Sequence, residues 1–173
     1  MGRDKALLPV GARPLVLRPV EALRAAAAAR VVVVGGDVRA LSGLGLEPVA
    51  DRHPGEGPLG GLVTALGAVD EPVVVVLACD LLHPAPEAVT AVVDALVRHP
   101  DAAWAAPVVD GRRELLCAAY RRDRSTHWSD AFVAGERSLR GPASAVPGVE
   151  VAGLDPRWFR DADRPADLPP GHG

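Results

Sequence analysis

Val-Val-Val-Val-Leu-Ala-Cys-Asp-Leu-Leu-His-Pro, residues 73–84, decides how the rest of the chain is read. Six apolar residues run without alternation, and the run stops short of Asp80. A continuous, β-branched run suits a strand covered on both faces, the usual state of a central strand in a parallel sheet. Pro86 and Glu87 then open a helical pattern, with Val89, Val92, Val93, Leu96 and Val97 as its apolar stripe. The carboxyl end of the strand therefore opens onto a strand-to-helix turn, where ligands bind in open α/β sheets. A carboxylate there can hold a hard cation such as Mg²⁺ through oxygen. The plainer reading is that Asp80 caps a turn or a helix.

Working outward in both directions gives more strand–helix alternation. Residues 15–29 read as a helix, with Pro14 at its start, Pro19 in its first turns and an alanine run at its end. Residues 31–34 are four valines, a strand, followed by a Gly35-Gly36-Asp37 turn. That turn lacks the third glycine of a dinucleotide-binding fingerprint. Pro48, Val49 and Ala50 form a short strand ending at a second acid, Asp51. Residues 52–61, Arg-His-Pro-Gly-Glu-Gly-Pro-Leu-Gly-Gly, are expected to be a shaped loop whose N–H groups can face an anion or a base edge. A tight crossover into the next helix, marked by Leu62, Leu66 and Val69, is the competing reading. Further on come a strand at 102–106, an Asp110-Gly111 hairpin turn, a strand at 114–120, a helix at 125–134 and a late strand at 149–151. The hairpin adds an antiparallel element to the otherwise parallel sheet. Asp161 and Asp163 stand at alternate positions before a terminal helical turn.

Bulk properties exclude several classes. The chain has 173 residues, 49% of them hydrophobic and 24% charged, with a net charge of −3. That favours a single domain, residues 1–168, with a disordered tail at 169–173. Nothing points to nucleic acid or an acidic membrane as partner. Neither a signal peptide nor an apolar run long enough to span a membrane is present, which fits a cytoplasmic protein. Cys79 and Cys117 read as small buried residues with no disulfide framework. The five histidines show no zinc-site spacing, and no serine sits in a nucleophile elbow. What remains is a set of acids at strand or turn ends: Asp51, Asp80, Asp161 and Asp163. If they meet, a metal and a phosphate chain fit between them.

The ordered motifs resemble the molybdenum cofactor guanylyltransferases. Met1-Gly2-Arg3-Asp4-Lys5 matches the end of that family's signature. Asp51 with Gly57-Pro58-Leu59-Gly60-Gly61, then Cys79-Asp80, residues 116–121, Arg137-Ser138-Leu139-Arg140 and residues 161–168 follow in the family's order. The resemblance implies a three-layer, Rossmann-like α/β fold of the nucleotide-diphospho-sugar transferase kind, with a mostly parallel sheet. It implies Mg²⁺-dependent transfer of GMP from GTP to molybdopterin, releasing pyrophosphate. In that reading Lys5 and Asp80 are catalytic: Lys5 contacts the GTP phosphates and Asp80 holds Mg²⁺. Asp51 and Gly57, Pro58, Leu59 and Gly60 lie against the nucleoside. Arg137 meets the pterin phosphate, with Asp161 and Asp163 on the substrate side, where the family often has asparagines. Molybdenum cofactor insertion proteins and molybdoenzymes are the implied transient partners.

Two departures qualify the likeness. The family's first strand and glycine loop precede the equivalent of Met1, so either the start lies further upstream or the protein is degenerate. The persistence of the downstream site residues favours the first. Glu114-Leu115 also replaces the family's usual Gln-Pro. The alternatives are a nucleotidyltransferase using CTP or another phosphorylated acceptor, and a non-catalytic binding protein.

Overall fold

The computed structural model describes residues 5–162, so Asp163 and the expected tail lie outside the described residues. A small hairpin of β1 (Pro9–Val10) and β2 (Arg13–Pro14) precedes α1 (Leu17–Ala25). Then come β3 (Val33–Val34), α2 (Val38–Gly43), β4 (Pro48–Val49), α3 (Gly57–Ala68), β5 (Val73–Leu77) and α4 (Pro86–Arg98). The second half runs through β6 (Trp104–Val109), β7 (Arg112–Arg113), β8 (Cys117–Arg121), α5 (Ser125–Val133), α6 (Arg140–Ser144) and β9 (Gly148–Val151).

The fold is α/β in three layers. β3 pairs in parallel with β4. A five-stranded sheet runs β5-β8-β6-β7, with β9 parallel to β6. Because β8 is antiparallel to both β5 and β6, those two strands share a direction with β9, and β8 and β7 are the reversed strands. The sheet is mixed, with the expected antiparallel element supplied by β7 and β8. Strand alternation sorts β5 between two layers. Val73 and Val75 pack with Val92, Ala95 and Leu96 of α4 on one face. Val74 and Val76 pack with α3 and α5, around Leu62, Tyr120 and Trp128, on the other. Tyr120 and Trp128 meet edge to face, with ring centroids 5.2 Å apart.

β5 is covered on both faces as expected, yet it is not the most buried strand. Its five residues are all half-buried, whereas β6 and β8 are buried for most of their length. The reason is position. β5 has β8 on one side, and its other edge opens on a cleft. The hairpin at Asp110-Gly111 forms as its sequence demands, with φ of 49° and 74° at the two turn residues.

Several boundaries moved for identifiable reasons. Residues 57–61 are not loop but the first turns of α3, because Pro58 fits a first helical turn and Gly60 lets the helix press against His53 and Phe132. α2 was not anticipated; its start is set by Asp37, whose side chain accepts from the N–H groups of Arg39 and Ala40. The alanine run leaves the helix at Ala25. Ala28 N–H then bonds the Leu23 carbonyl, and Ala27 N–H that of Arg24. This is a Schellman end with Ala27, at φ 60°, where glycine is usual. Ala27→Gly is therefore expected to stabilise the protein by about 1 kcal/mol, read as a higher urea midpoint.

Candidate active site

The site is assembled at the carboxyl ends of β4 and β5. Asp80 follows β5 in a turn and is not a helix cap: the residue preceding α4 is Ala85, with no side-chain cap. Its carboxylate instead faces Lys5, with Nζ 4.0 Å from Oδ2. The lysine side chain is 41% exposed and the carboxylate 22%, so both remain open to solvent and to a ligand. Lys5 is carried there by a turn of 3₁₀ helix over Lys5–Leu7, anchored by the buried Ala6. Ala162 N–H donates to the Asp80 carbonyl at 2.9 Å, and Leu81 bridges Asp161. Three parts of the chain far apart in sequence thus converge on one turn.

Burial pushes the Glu114 carboxyl up from its ordinary value, and the charge of Asp161 adds to the shift. The Cys117 thiol is pushed up to about 12 by burial first, then by Glu114, with Asp80 and Asp161 contributing. Cys117 is buried and inert, as expected; Cys79, expected to be buried too, is exposed beside Asp80 because it has already left the strand.

Asp51 follows β4 and lines the same cleft as Pro58, Gly61 and Cys79. Its Oδ1 accepts from His53 N–H at 2.9 Å and sits 3.1 Å from the Thr64 hydroxyl. Thr64, fully buried, also accepts from Arg52 N–H at 3.2 Å and lies 3.0 Å from the Gly60 carbonyl. Sequence reasoning missed this threonine; a hydroxyl in the middle of a helix carries no signal of its own. Thr64→Val leaves Arg52 N–H and Asp51 without that partner. We expect a loss of about 1–3 kcal/mol in urea unfolding, largely recovered by Thr64→Ser.

The glycine stretch has a structural task. Gly57, at φ 84°, sits so that a Cβ would lie 2.9 Å from the Arg137 carbonyl. That carbonyl accepts from Leu59 N–H at 3.1 Å. Leu59 itself is fully buried in the core, so its side chain faces α5 and not the cleft, while Pro58 is exposed on the cleft wall. The Arg137 guanidinium is engaged: it pairs with Glu56 at 2.8 Å, donates to the Phe132 and Glu136 carbonyls, and stacks 4.3 Å over the Phe132 ring. Lys5, Asp80 and Asp161 are brought together, Asp51 and Pro58 share the cleft wall, and Arg137 is tied to the loop before α3. Among the described residues no three His, Cys, Asp or Glu side chains form a ready metal cage. Mg²⁺ does not need one, since it binds through one or two carboxylates with substrate phosphates and water completing its shell. Asp80, partly open to solvent, fits that donor set.

Comparison with known proteins shows the family. The chain is 31% identical to a probable molybdenum cofactor guanylyltransferase of Chloroflexus aggregans, over 96% of this chain and 85% of that one. It is 34% identical to a protein of the same description from Deinococcus radiodurans, over 96% and 84%. In fold it resembles molybdopterin-guanine dinucleotide biosynthesis protein A of Archaeoglobus fulgidus, with a TM-score of 0.76 at 21% identity, covering 96% of this chain and 88% of that one. It resembles equally the 2-C-methyl-D-erythritol 4-phosphate cytidylyltransferase of Thermus thermophilus, with a TM-score of 0.76 over 95% and 90%. No helix among the described residues is long and apolar enough to cross a membrane. The family described as "MobA-like NTP transferase domain" matches residues 1–146, and the chain belongs to that nucleotidyltransferase family.

Proposed function

We propose that this protein acts in molybdenum cofactor biosynthesis, transferring GMP from GTP to the terminal phosphate of molybdopterin. A phosphate oxygen of the acceptor attacks the α-phosphorus of GTP. The bond from that phosphorus to the bridging oxygen breaks, and pyrophosphate leaves. The acceptor is already an anionic nucleophile, so no strong base is required. The barrier lies in bringing anions together and holding the charge that develops on the α-phosphate and the leaving group.

The observation that carries this reading is the Lys5–Asp80 pair at the carboxyl edge of β5. Lys5, 4.0 Å from Asp80, contacts the phosphates of the bound nucleotide. Asp80, with Asp161 beside it, holds Mg²⁺, which supplies charge neutralisation on the phosphates when bound. Asp51 and Pro58 form the nucleoside side of the cleft, with Gly57 and Gly60 allowing the close approach of chain segments behind it. Leu59 contributes by anchoring α3 in the core. Arg137 exchanges Glu56 for the acceptor phosphate. Asp163, outside the described residues, is assigned to the substrate by resemblance alone.

The test is pyrophosphate release with molybdopterin as acceptor and GTP, CTP or ATP as donor, with and without Mg²⁺. Release from GTP alone is the expected result. Release from CTP in preference would make the protein a cytidylyltransferase, and release from none would leave a binding protein.

A further inference from the structure

The two oxygens of the Asp51 carboxylate are placed differently. Oδ1 is held twice: by His53 N–H at 2.9 Å, a bond local to the loop, and by the Thr64 hydroxyl at 3.1 Å, which comes from α3. Among the described residues Oδ2 has no hydrogen-bond partner. Asp51 is half-buried on the cleft wall, so Oδ2 is the oxygen left to a ligand.

Among the described residues Thr64 is the one polar side chain that is fully buried. Its hydroxyl has a single proton and two acceptors in reach, the Gly60 carbonyl at 3.0 Å and Asp51 Oδ1 at 3.1 Å. The carboxylate is the charged acceptor and makes the stronger bond. Arg52 N–H, at 3.2 Å, takes a lone pair of the same hydroxyl oxygen. A β-branched side chain in a helix has few rotamers, so this hydroxyl cannot follow a moving carboxylate. The His53 bond alone would let the acid rock with its loop. The Thr64 bond ties it to α3, whose Leu62 and Leu66 are buried in the core.

We propose that Thr64 is a positioning residue for nucleotide binding, which rests on the reading of Asp51 as a nucleoside contact. Thr64 touches no ligand. It fixes Asp51 with one oxygen toward α3 and leaves the other for the hydroxyl or N–H donors of the nucleoside. An acceptor ordered in advance spares the nucleotide the cost of ordering it. The contact lies on the nucleoside, away from the α-phosphorus, so it is made equally before and during phosphoryl transfer. Such a contact lowers KM and leaves kcat alone.

The experiment measures GTP affinity with Mg²⁺ by titration calorimetry, and KM and kcat in pyrophosphate release, below the unfolding range of each variant. Thr64→Val is expected to weaken GTP binding and raise KM about tenfold, with kcat within about twofold of the parent. Thr64→Ser keeps the hydroxyl and should bring both back to within about twofold. Added to Asp51→Ala, Thr64→Val should weaken binding by less than about a further twofold, because the group it positions is gone. Val92→Ala removes core volume on α4 away from the cleft lining; it should lower the thermal midpoint without moving KM, which separates positioning from lost stability. Thr64→Ala removes the same hydroxyl should valine not be accommodated. Weaker binding in Asp51→Ala with none in Thr64→Val overturns the inference and leaves Asp51 as the contact. A serine variant no better than valine, or a loss confined to kcat, overturns it as well and makes Thr64 purely structural. Unchanged affinity in Asp51→Ala, or no GTP binding by the parent, removes the nucleoside role of Asp51 and the inference with it.

Discussion

Asp80→Asn is expected to lower turnover about a thousandfold while leaving the thermal midpoint within a few degrees of the parent. The substitution keeps the size of the side chain and one acceptor oxygen and removes the charge. The structural bonds of this turn run through the backbone: Ala162 donates to the Asp80 carbonyl, and Leu82 N–H to that of Arg160. They survive the change. What is lost is the anion opposite Lys5 and the oxygen donor offered to Mg²⁺. Pyrophosphate release and differential scanning calorimetry separate the two roles. A midpoint falling in step with activity would make Asp80 a structural residue. A fall confined to turnover, with weaker Mg²⁺ binding in the presence of GTP, is the outcome the geometry supports.

The same turn marks how far the sequence could be read. The run at 73–78 announces a strand because so dense a β-branched block favours the extended chain over a helix, and the acid after it is legible as a strand-end carboxylate. Its rank in the sheet is not legible. Whether a strand is central depends on what pairs with its edges, and those partners are remote in sequence. Residues 57–61 misled for a related reason. Glycine and proline read locally as loop, yet Pro58 suits a helix start, and Gly60 is selected by the approach of His53 and Phe132. Arg137 is assigned to the pterin phosphate by resemblance alone, and in the fold its guanidinium clasps Glu56 and lies over the Phe132 ring. The convergence of Lys5, Asp80 and Asp161 rests on the order of motifs along the chain, since no spacing rule links positions so far apart.

The largest structural effect is expected far from the site, at Gly148. It opens β9 opposite Trp104 of β6 in parallel register. A Cβ built there would lie 2.0 Å from the Trp104 ring, well inside any real contact. The indole cannot easily give way. It is 2% exposed, its Nε1–H donates to the Ala143 carbonyl at 3.0 Å, and the Arg113 guanidinium lies 5.3 Å from the ring centroid. Gly148 is thus the gap that an aromatic neighbour fills, the arrangement by which a ring covers a glycine in a sheet. Gly148→Val forces the ring out, breaks its hydrogen bond and separates β9 from β6. The expected cost is about 3 kcal/mol or more, read as a fall in the urea midpoint. Trp104→Ala in the same background tests the cause. Removing the ring costs stability alone but relieves the clash, so the double variant should be more stable than the sum of the two single losses requires. Strict additivity would place the damage in the backbone of β9 instead.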